Sequence, residues 1–72
     1  MEIRPDQFTL LRFKLNYSQQ ELADWLAVNR STVSRWEQGR RRIPIAVVKA
    51  MELWLEKKTA DAMIENGTRL II

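Results

Sequence analysis

Residues 17–39 read YSQQELADWLAVNRSTVSRWEQG, and this stretch decides the fold. Ser18 followed by Glu21 is a capping box, in which the serine hydroxyl accepts from a first-turn amide and the glutamate reaches back to the serine amide. Leu22 and Leu26 then recur at helical spacing, which indicates one apolar face. The beginning of the stretch therefore predicts a short amphipathic helix.

The second half of the stretch predicts another short helix after a tight turn. Asn29 is a good residue to cap its start, and Val33 and Trp36, three positions apart, form its inward face. Gly39 provides a left-handed stop. Two helices that cross steeply also need a small residue where they touch and an apolar residue at the corner, and Ala23 and Val28 meet these needs.

This pattern resembles the helix-turn-helix of the phage repressor and Cro type, also called the xenobiotic-response-element family. The resemblance covers about residues 6–55, with the motif at about 18–38. It implies an all-α, lambda-repressor-like bundle of four to five helices. One departure is Ala27, where the family has glycine in a left-handed conformation that costs other residues about 1–2 kcal/mol. The matching positions are Leu11, Arg12, Leu15, Gln19, Leu22, Ala23, Leu26, Val28, Val33, Trp36, Glu37, Gly39 and Pro44.

Length and composition restrict the function. A chain of 72 residues forms one domain, so residues 1–72 are predicted to be a single helix-turn-helix unit. It contains no cysteine and no histidine, which excludes disulfides, thiol nucleophiles and the usual zinc sites. We expect no enzyme, no cofactor and no metal. No apolar run is long enough to span a membrane, and the N-terminus does not resemble a signal peptide, so we expect a cytoplasmic, nucleoid-associated protein.

The positive charge is concentrated in one segment. The net charge is +3, but residues 30–42 hold five arginines and one acidic residue, while the rest holds seven basic and eight acidic residues. A solvated basic loop is the ordinary interpretation of such a run. Because this run coincides with the second helix of the motif and the loop after it, we interpret it as a face that binds nucleic acid.

The first helix is predicted to begin at Pro5 or Asp6 and to run to about Leu15, with Asn16 at the left-handed stop. Arg12 lies on its apolar face. The family resemblance implies that Arg12 forms a structural ion pair with Glu37, and a reach to a phosphate is the alternative. Trp25, where the family is usually polar, is expected to cover the core near Ile3 or Phe8; a partner-binding patch is the weaker option.

The C-terminal third has two interpretations. A fourth helix starts near Pro44, and Thr59 can cap a short fifth helix that Gly67 ends, followed by a β-favouring tail, TRLII, as a short strand. An uninterrupted helix over residues 45–65 is the competing interpretation. We expect residues 58–72 to be a dimerisation extension. The predicted interface residues are Trp54, Met63, Ile64, Leu70, Ile71 and Ile72.

The resemblance also assigns the DNA contacts, because recognition helices of this type place their outward residues against base edges in the major groove. Arginine can bond guanine O6 and N7 together, and serine can bond several bases. The predicted base contacts are Arg30, Ser31, Ser34 and Arg35, of which Ser34 is the weaker candidate. The predicted phosphate contacts are Gln19, Thr32, Gln38, Arg40, Arg41 and Arg42.

The resulting hypothesis is a prokaryotic or phage transcriptional regulator. We expect a repressor that binds a palindromic double-stranded operator as a homodimer, because one motif reads only a few base pairs. The alternative is the antitoxin of a toxin–antitoxin pair, which regulates its own operon and has a toxin protein as partner. Antitoxins of this kind usually add a segment that wraps the toxin, and this chain has only its short ends to spare.

Overall fold

The computed structural model describes the backbone of residues 3–71 and the side chains of residues 3–60. Four helices follow one another: α1 (Pro5–Lys14), α2 (Gln19–Leu26), α3 (Arg30–Glu37) and α4 (Ile45–Ile71). The described backbone contains no strand, so the predicted all-α bundle is confirmed. α2 packs mainly on α3, and α1 packs on both α3 and α4.

The first three helices end in the same way, with a residue of positive φ. Asn16 has φ 61°, Ala27 has φ 58° and Gly39 has φ 73°, so the three predicted left-handed positions are confirmed. Each end carries the two backbone hydrogen bonds of a Schellman motif, which satisfy carbonyls that the helix leaves unpaired. In each motif the bond that spans five residues closes the helix end. These bonds run from Tyr17 N to Arg12 O, from Val28 N to Ala23 O and from Arg40 N to Arg35 O.

The start of α2 is fixed by the predicted capping box. The Glu21 amide donates to Ser18 Oγ at 3.0 Å, and the Ser18 amide donates to Glu21 Oε1 at 2.8 Å. That second bond favours the ionised carboxylate and lowers the pKa of Glu21. Asn29 occupies the N-cap position of α3 in an extended conformation, but its side chain makes no capping bond, so only its predicted place is correct.

The core lies where α1, α2, α3 and α4 converge, and it needs few residues. Phe8 and Trp36 meet edge to face with their ring centroids 5.8 Å apart. Ala23 is fully buried, as a small residue at the crossing of two helices should be. The buried apolar residues are Phe8, Leu15, Leu22, Ala23, Val33, Trp36, Ile43 and Met51.

α4 decides between the two interpretations of the C-terminal third. It is one helix of 27 residues, about 40 Å long. The interpretation as one uninterrupted helix is therefore correct, and the helix continues beyond residue 65; the described backbone has no break near Thr59 and no strand in residues 68–71. Gly67 costs a helix interior only about 1 kcal/mol, and the polar residues 56–59 carry no helix-breaking proline or glycine. The extended helix gives a radius of gyration of 14.4 Å, against about 11 Å for a compact domain of this size.

Of the predicted dimer residues, only Trp54 has a described side chain. The side chains of Met63, Ile64, Leu70 and Ile71, and all of Ile72, lie outside the described residues. Trp54 is half-buried within its own chain: its indole N–H donates to the Tyr17 hydroxyl at 2.9 Å.

Trp25 belongs to the same aromatic cluster. Its ring centroid lies 6.1 Å from that of Tyr17 and 6.1 Å from that of Trp54. Trp25 therefore covers the contact of α2 with the middle of α4, instead of the expected site near Ile3 or Phe8. This placement is favourable because the Trp25 and Trp54 rings bury apolar area against each other.

Candidate nucleic-acid interface

The outer face of α3 carries the predicted base-contacting residues. Val33 and Trp36 are buried on the inner face, which orients the helix, while Arg30, Ser31 and Arg35 are exposed. Within the described part of the chain, the side chains of Arg30 and Arg35 are exposed and make no ion pair or hydrogen bond with the protein. Their guanidinium groups are therefore available to an external acceptor.

Ser34 and Gln38 lie one turn apart at the end of α3 and are bonded to each other. Gln38 Nε2 donates to Ser34 Oγ at 3.0 Å. Because the serine oxygen accepts this bond, the hydroxyl proton is left to donate elsewhere. Gln38, predicted to contact a phosphate, thus also orients a predicted base-contacting residue. The i, i+4 spacing of the pair in the sequence is the signal by which this bond could have been predicted.

A nearly buried ion pair lies behind the interface. Arg12 is 8% exposed. Its Nε donates to Glu37 Oε2 at 2.6 Å and its Nη2 to Glu37 Oε1 at 3.2 Å. Its Nη1 donates to the carbonyl oxygen of Tyr17 at 2.9 Å. The guanidinium of α1 thereby fixes both the end of α3 and the turn before α2.

Gln19 joins this ion pair to the surface. It is half-buried in the first turn of α2, and its Nε2 donates to Glu37 Oε1 at 2.9 Å. The side chain that was predicted to bind a phosphate therefore has a partner within the protein. Sequence reasoning missed the Gln19–Glu37 bond, because residues 18 positions apart carry no local pattern that pairs them.

The remaining predicted phosphate contacts lie at the two ends of α3. Thr32 is half-buried in the first turn, and the other three are exposed in the loop between α3 and α4. Gly39 turns the chain into this loop. An added Cβ would lie 3.5 Å from Pro5 Cγ, which is an ordinary van der Waals contact, so lack of space does not require glycine here. Its positive φ is what favours glycine. The exposed loop residues are Arg40, Arg41 and Arg42.

The candidate interface combines the exposed face of α3, the basic loop after it and the buried Arg12–Glu37 ion pair behind it. Arg30, Ser31 and Arg35 project from α3, and Gln19 marks the N-terminus of α2, where unpaired amides and the helix dipole favour an anion. Such an arrangement can place guanidinium and hydroxyl groups in a DNA groove while the flanking cations contact phosphates. No helix in the described residues combines the length and apolar character needed to cross a membrane.

Comparison with known proteins agrees with this geometry. A family model described as "Helix-turn-helix" matches residues 9–58, which include the second half of α1, all of α2 and α3, and the first half of α4. Neither the comparison with curated proteins nor that with solved structures gave a match. The family match covers more than half of the chain, so the chain belongs to the helix-turn-helix family of DNA-binding transcriptional regulators of the Cro and phage repressor type.

Proposed function

We propose that this regulator is a sequence-specific repressor that binds a palindromic operator in double-stranded DNA as a homodimer. The observation that carries the proposal is the contrast across α3: its inner face is fixed by Val33 and Trp36, while Arg30 and Arg35 on the outer face are exposed. A fixed helix with unengaged guanidinium groups is suited to the major groove.

Base recognition is assigned to the outward residues of α3. Arg30 and Arg35 can each bond O6 and N7 of one guanine, and Ser34, whose oxygen already accepts from Gln38, can donate to a base acceptor. Ser31 lies beside Arg30 on the exposed first turn and is suited to a further polar contact. Together they read a few base pairs, which is why the proposal includes a second copy and a two-fold site.

Phosphate contacts are assigned to the flanks of α3. Arg40, Arg41 and Arg42 would neutralise phosphates on one side of the DNA groove. Gln19 and Thr32 would contact the DNA backbone on the other side and fix the orientation of the protein. The exposure of the three arginines supports this assignment. A protein with this role acts where the chromosome is, so a cytoplasmic, nucleoid-associated location forms part of the proposal.

The salt dependence of binding tests the DNA face. Sites selected from random duplexes should be palindromic, and binding should weaken steeply as salt rises, because each neutralised phosphate releases counterions. Arg40→Ala should reduce the slope of log K against log salt by about 0.9, the value for one phosphate contact in B-DNA.

The control is Lys57→Ala, which removes the same charge from α4 and should leave this slope unchanged. A wild-type affinity that does not respond to salt, or an equal loss of slope in both variants, would mean that the basic segment is not the DNA face.

A further inference from the structure

Apolar surface is unevenly distributed over the molecule. In the described part of the chain the large exposed apolar side chains are Leu10, Phe13, Trp25, Ile45 and Leu53, and all except Trp25 lie on α1 or α4. Leu10 is 53% and Leu53 is 67% exposed. An apolar surface of this kind in a small protein usually marks an interaction site. It lies on the helices that do not carry the proposed DNA contacts.

A groove between α1 and α4 forms the centre of this surface. Its volume is about 660 Å³, and its apolar lining consists of Ile3, Leu10, Leu11, Ile45 and Val48. Its α4 side extends from Ile45 to Glu52, about two helical turns. The dimensions and lining suit an amphipathic helix about two turns long. The charged residues of the lining are Lys14, Lys49 and Glu52, so the groove has a net positive charge and favours an occupant with acidic flanks.

The second half of α4 extends beyond the core. Residues 56–60 are all exposed, and the last described contact with the bundle is the bond from Lys58 Nζ to the carbonyl oxygen of Leu15 at 3.1 Å. From Thr59 to Ile71 the helix continues for about 20 Å. This length accounts for the longest dimension of the molecule, 50 Å against 25 and 17 Å in the other directions.

The sequence of this projecting half has the composition that the groove requires. Ala60 and Gly67 are spaced by seven, and so are Met63 and Leu70, which is the spacing of the core positions in helices that pack along one another. The small residues at the first two positions permit a close approach. Asp61 and Glu65, one turn apart, match the lysines of the groove in charge.

We propose that the groove between α1 and α4 holds the projecting half of α4 from a second copy of this chain, and that the exchange is reciprocal. The two α4 helices then run antiparallel, and two-fold symmetry fills both grooves at once. The inference rests on the proposed homodimer and specifies its contact surface. It leaves α2 and α3 of both copies uncovered, as binding to DNA requires.

Sedimentation of matched lysine variants of the full chain tests this contact. Leu10 lines the groove, whereas Phe13 lies on the same helix, is 57% exposed and does not line it. The wild type should be dimeric, and Leu10→Lys should raise the dimer dissociation constant about 100-fold or more, because each of two grooves would bury an unpaired ammonium. Phe13→Lys should leave the constant unchanged. Circular dichroism should show that both variants stay folded.

The absence of cysteine allows a second test, since any disulfide in a single-cysteine variant must join two copies. A mixture of Leu10→Cys and Met63→Cys proteins should oxidise mainly to the mixed dimer, because the proposed packing brings these positions together. Phe13→Cys in place of Leu10→Cys should give little mixed product. Equal yields from both mixtures would overturn the proposed packing.

Binding to an isolated half-site separates this inference from the proposed DNA function. Leu10→Lys should bind a half-site as the wild type does and should lose affinity only for the full palindrome. A wild type that is monomeric at high concentration would overturn the inference and leave the groove to a different protein, even if half-site binding persists. A wild type that forms the dimer but binds no DNA would overturn the proposed function and leave the dimer intact.

Discussion

Arginine has opposite roles on the two sides of the recognition helix. Behind α3, Arg12 is nearly buried and donates to Glu37 and to the Tyr17 carbonyl oxygen. In front of α3, Arg30 and Arg35 are exposed. The buried arginine has its partners within the protein, whereas the exposed arginines have none in the described part of the chain and are proposed to bind DNA. Charge alone therefore does not identify a DNA contact, and the partners of each guanidinium decide its role.

The comparison also shows how the two sides are connected. Glu37 ends α3 and accepts from both Arg12 and Gln19. The inner ion pair consequently orients the helix that presents the outer arginines, and Gln19 extends the same network to the start of α2. A change on the inner side should alter stability first, while a change on the outer side should alter DNA binding alone.

The largest effect is expected from the inner side. Arg12→Ala or Glu37→Ala should each cost about 3–5 kcal/mol of folding free energy, because the remaining partner is left as a buried charge. The double variant should cost less than the sum of the two, since it leaves no stranded charge. Thermal or denaturant unfolding of the four proteins in this cycle measures the coupling.

The matched control is the exposed pair Arg4–Asp6, whose charged atoms lie 3.0 Å apart with both side chains about 70% exposed. Arg4→Ala should change stability by less than about 1 kcal/mol. Strict additivity of the Arg12 and Glu37 substitutions, or an equal loss from Arg4→Ala, would show that burial does not distinguish the two pairs.

The outer arginines should give the next largest effect, and only on DNA. Arg30→Ala or Arg35→Ala should each weaken binding to the best operator by about 1–3 kcal/mol and relax the preference at one base pair of each half-site. Arg35→Lys should lose most of the preference, because an ammonium cannot form the paired contact to guanine. Binding to selected and single-substituted operators measures these effects, and unfolding should be unaltered. A loss of stability in either alanine variant would contradict the division between the two sides.

The smallest predicted effect concerns the turn between α2 and α3, which sets the position of α3. Ala27 has φ 58°, a conformation that costs a non-glycine residue about 1–2 kcal/mol. Ala27→Gly should raise the free energy of unfolding by up to about 1 kcal/mol, since the freer unfolded chain offsets part of the gain. Operator preference should not change.

Ala50→Gly is the matched control, because Ala50 lies in the interior of α4 and does not line the groove. The same substitution there should destabilise the chain by about 1 kcal/mol. If both substitutions changed stability in the same direction, backbone strain at Ala27 would not explain the effect. Chemical denaturation of the three proteins is sufficient for this comparison.

The first 44 residues were largely predictable because their signals are local. Ser18 and Glu21 define a helix start by their own spacing, and Asn16 and Gly39 define helix ends by their backbone preferences. These are short-range interactions that a sequence displays directly. The inward positions Val33 and Trp36 followed from helical periodicity, and their burial is confirmed.

The interactions that the sequence did not reveal depend on distant residues or on small energy differences. Gln19 meets Glu37 only because α2 and α3 cross, and Trp25 meets Trp54 only because α4 passes beside the last turn of α2. The sequence left the length of α4 open for another reason: one glycine and a polar run are weak stop signals, and neither outweighs the hydrogen bonds of a continuous helix. Which bases the exposed arginines read depends on the DNA, and so it remains a prediction.

Trp36 gives the recognition helix a built-in optical reporter. Its indole is 3% exposed and lies edge to face with Phe8, and its N–H has no hydrogen-bond partner in the described structure. An indole in such dry surroundings should emit at shorter wavelength than Trp25, which is 38% exposed. In a variant that keeps only Trp36, with Phe at positions 25 and 54, the emission maximum would therefore show whether α3 stays packed against α1. A constant emission maximum on addition of operator DNA would indicate that the helix enters the groove as a rigid body.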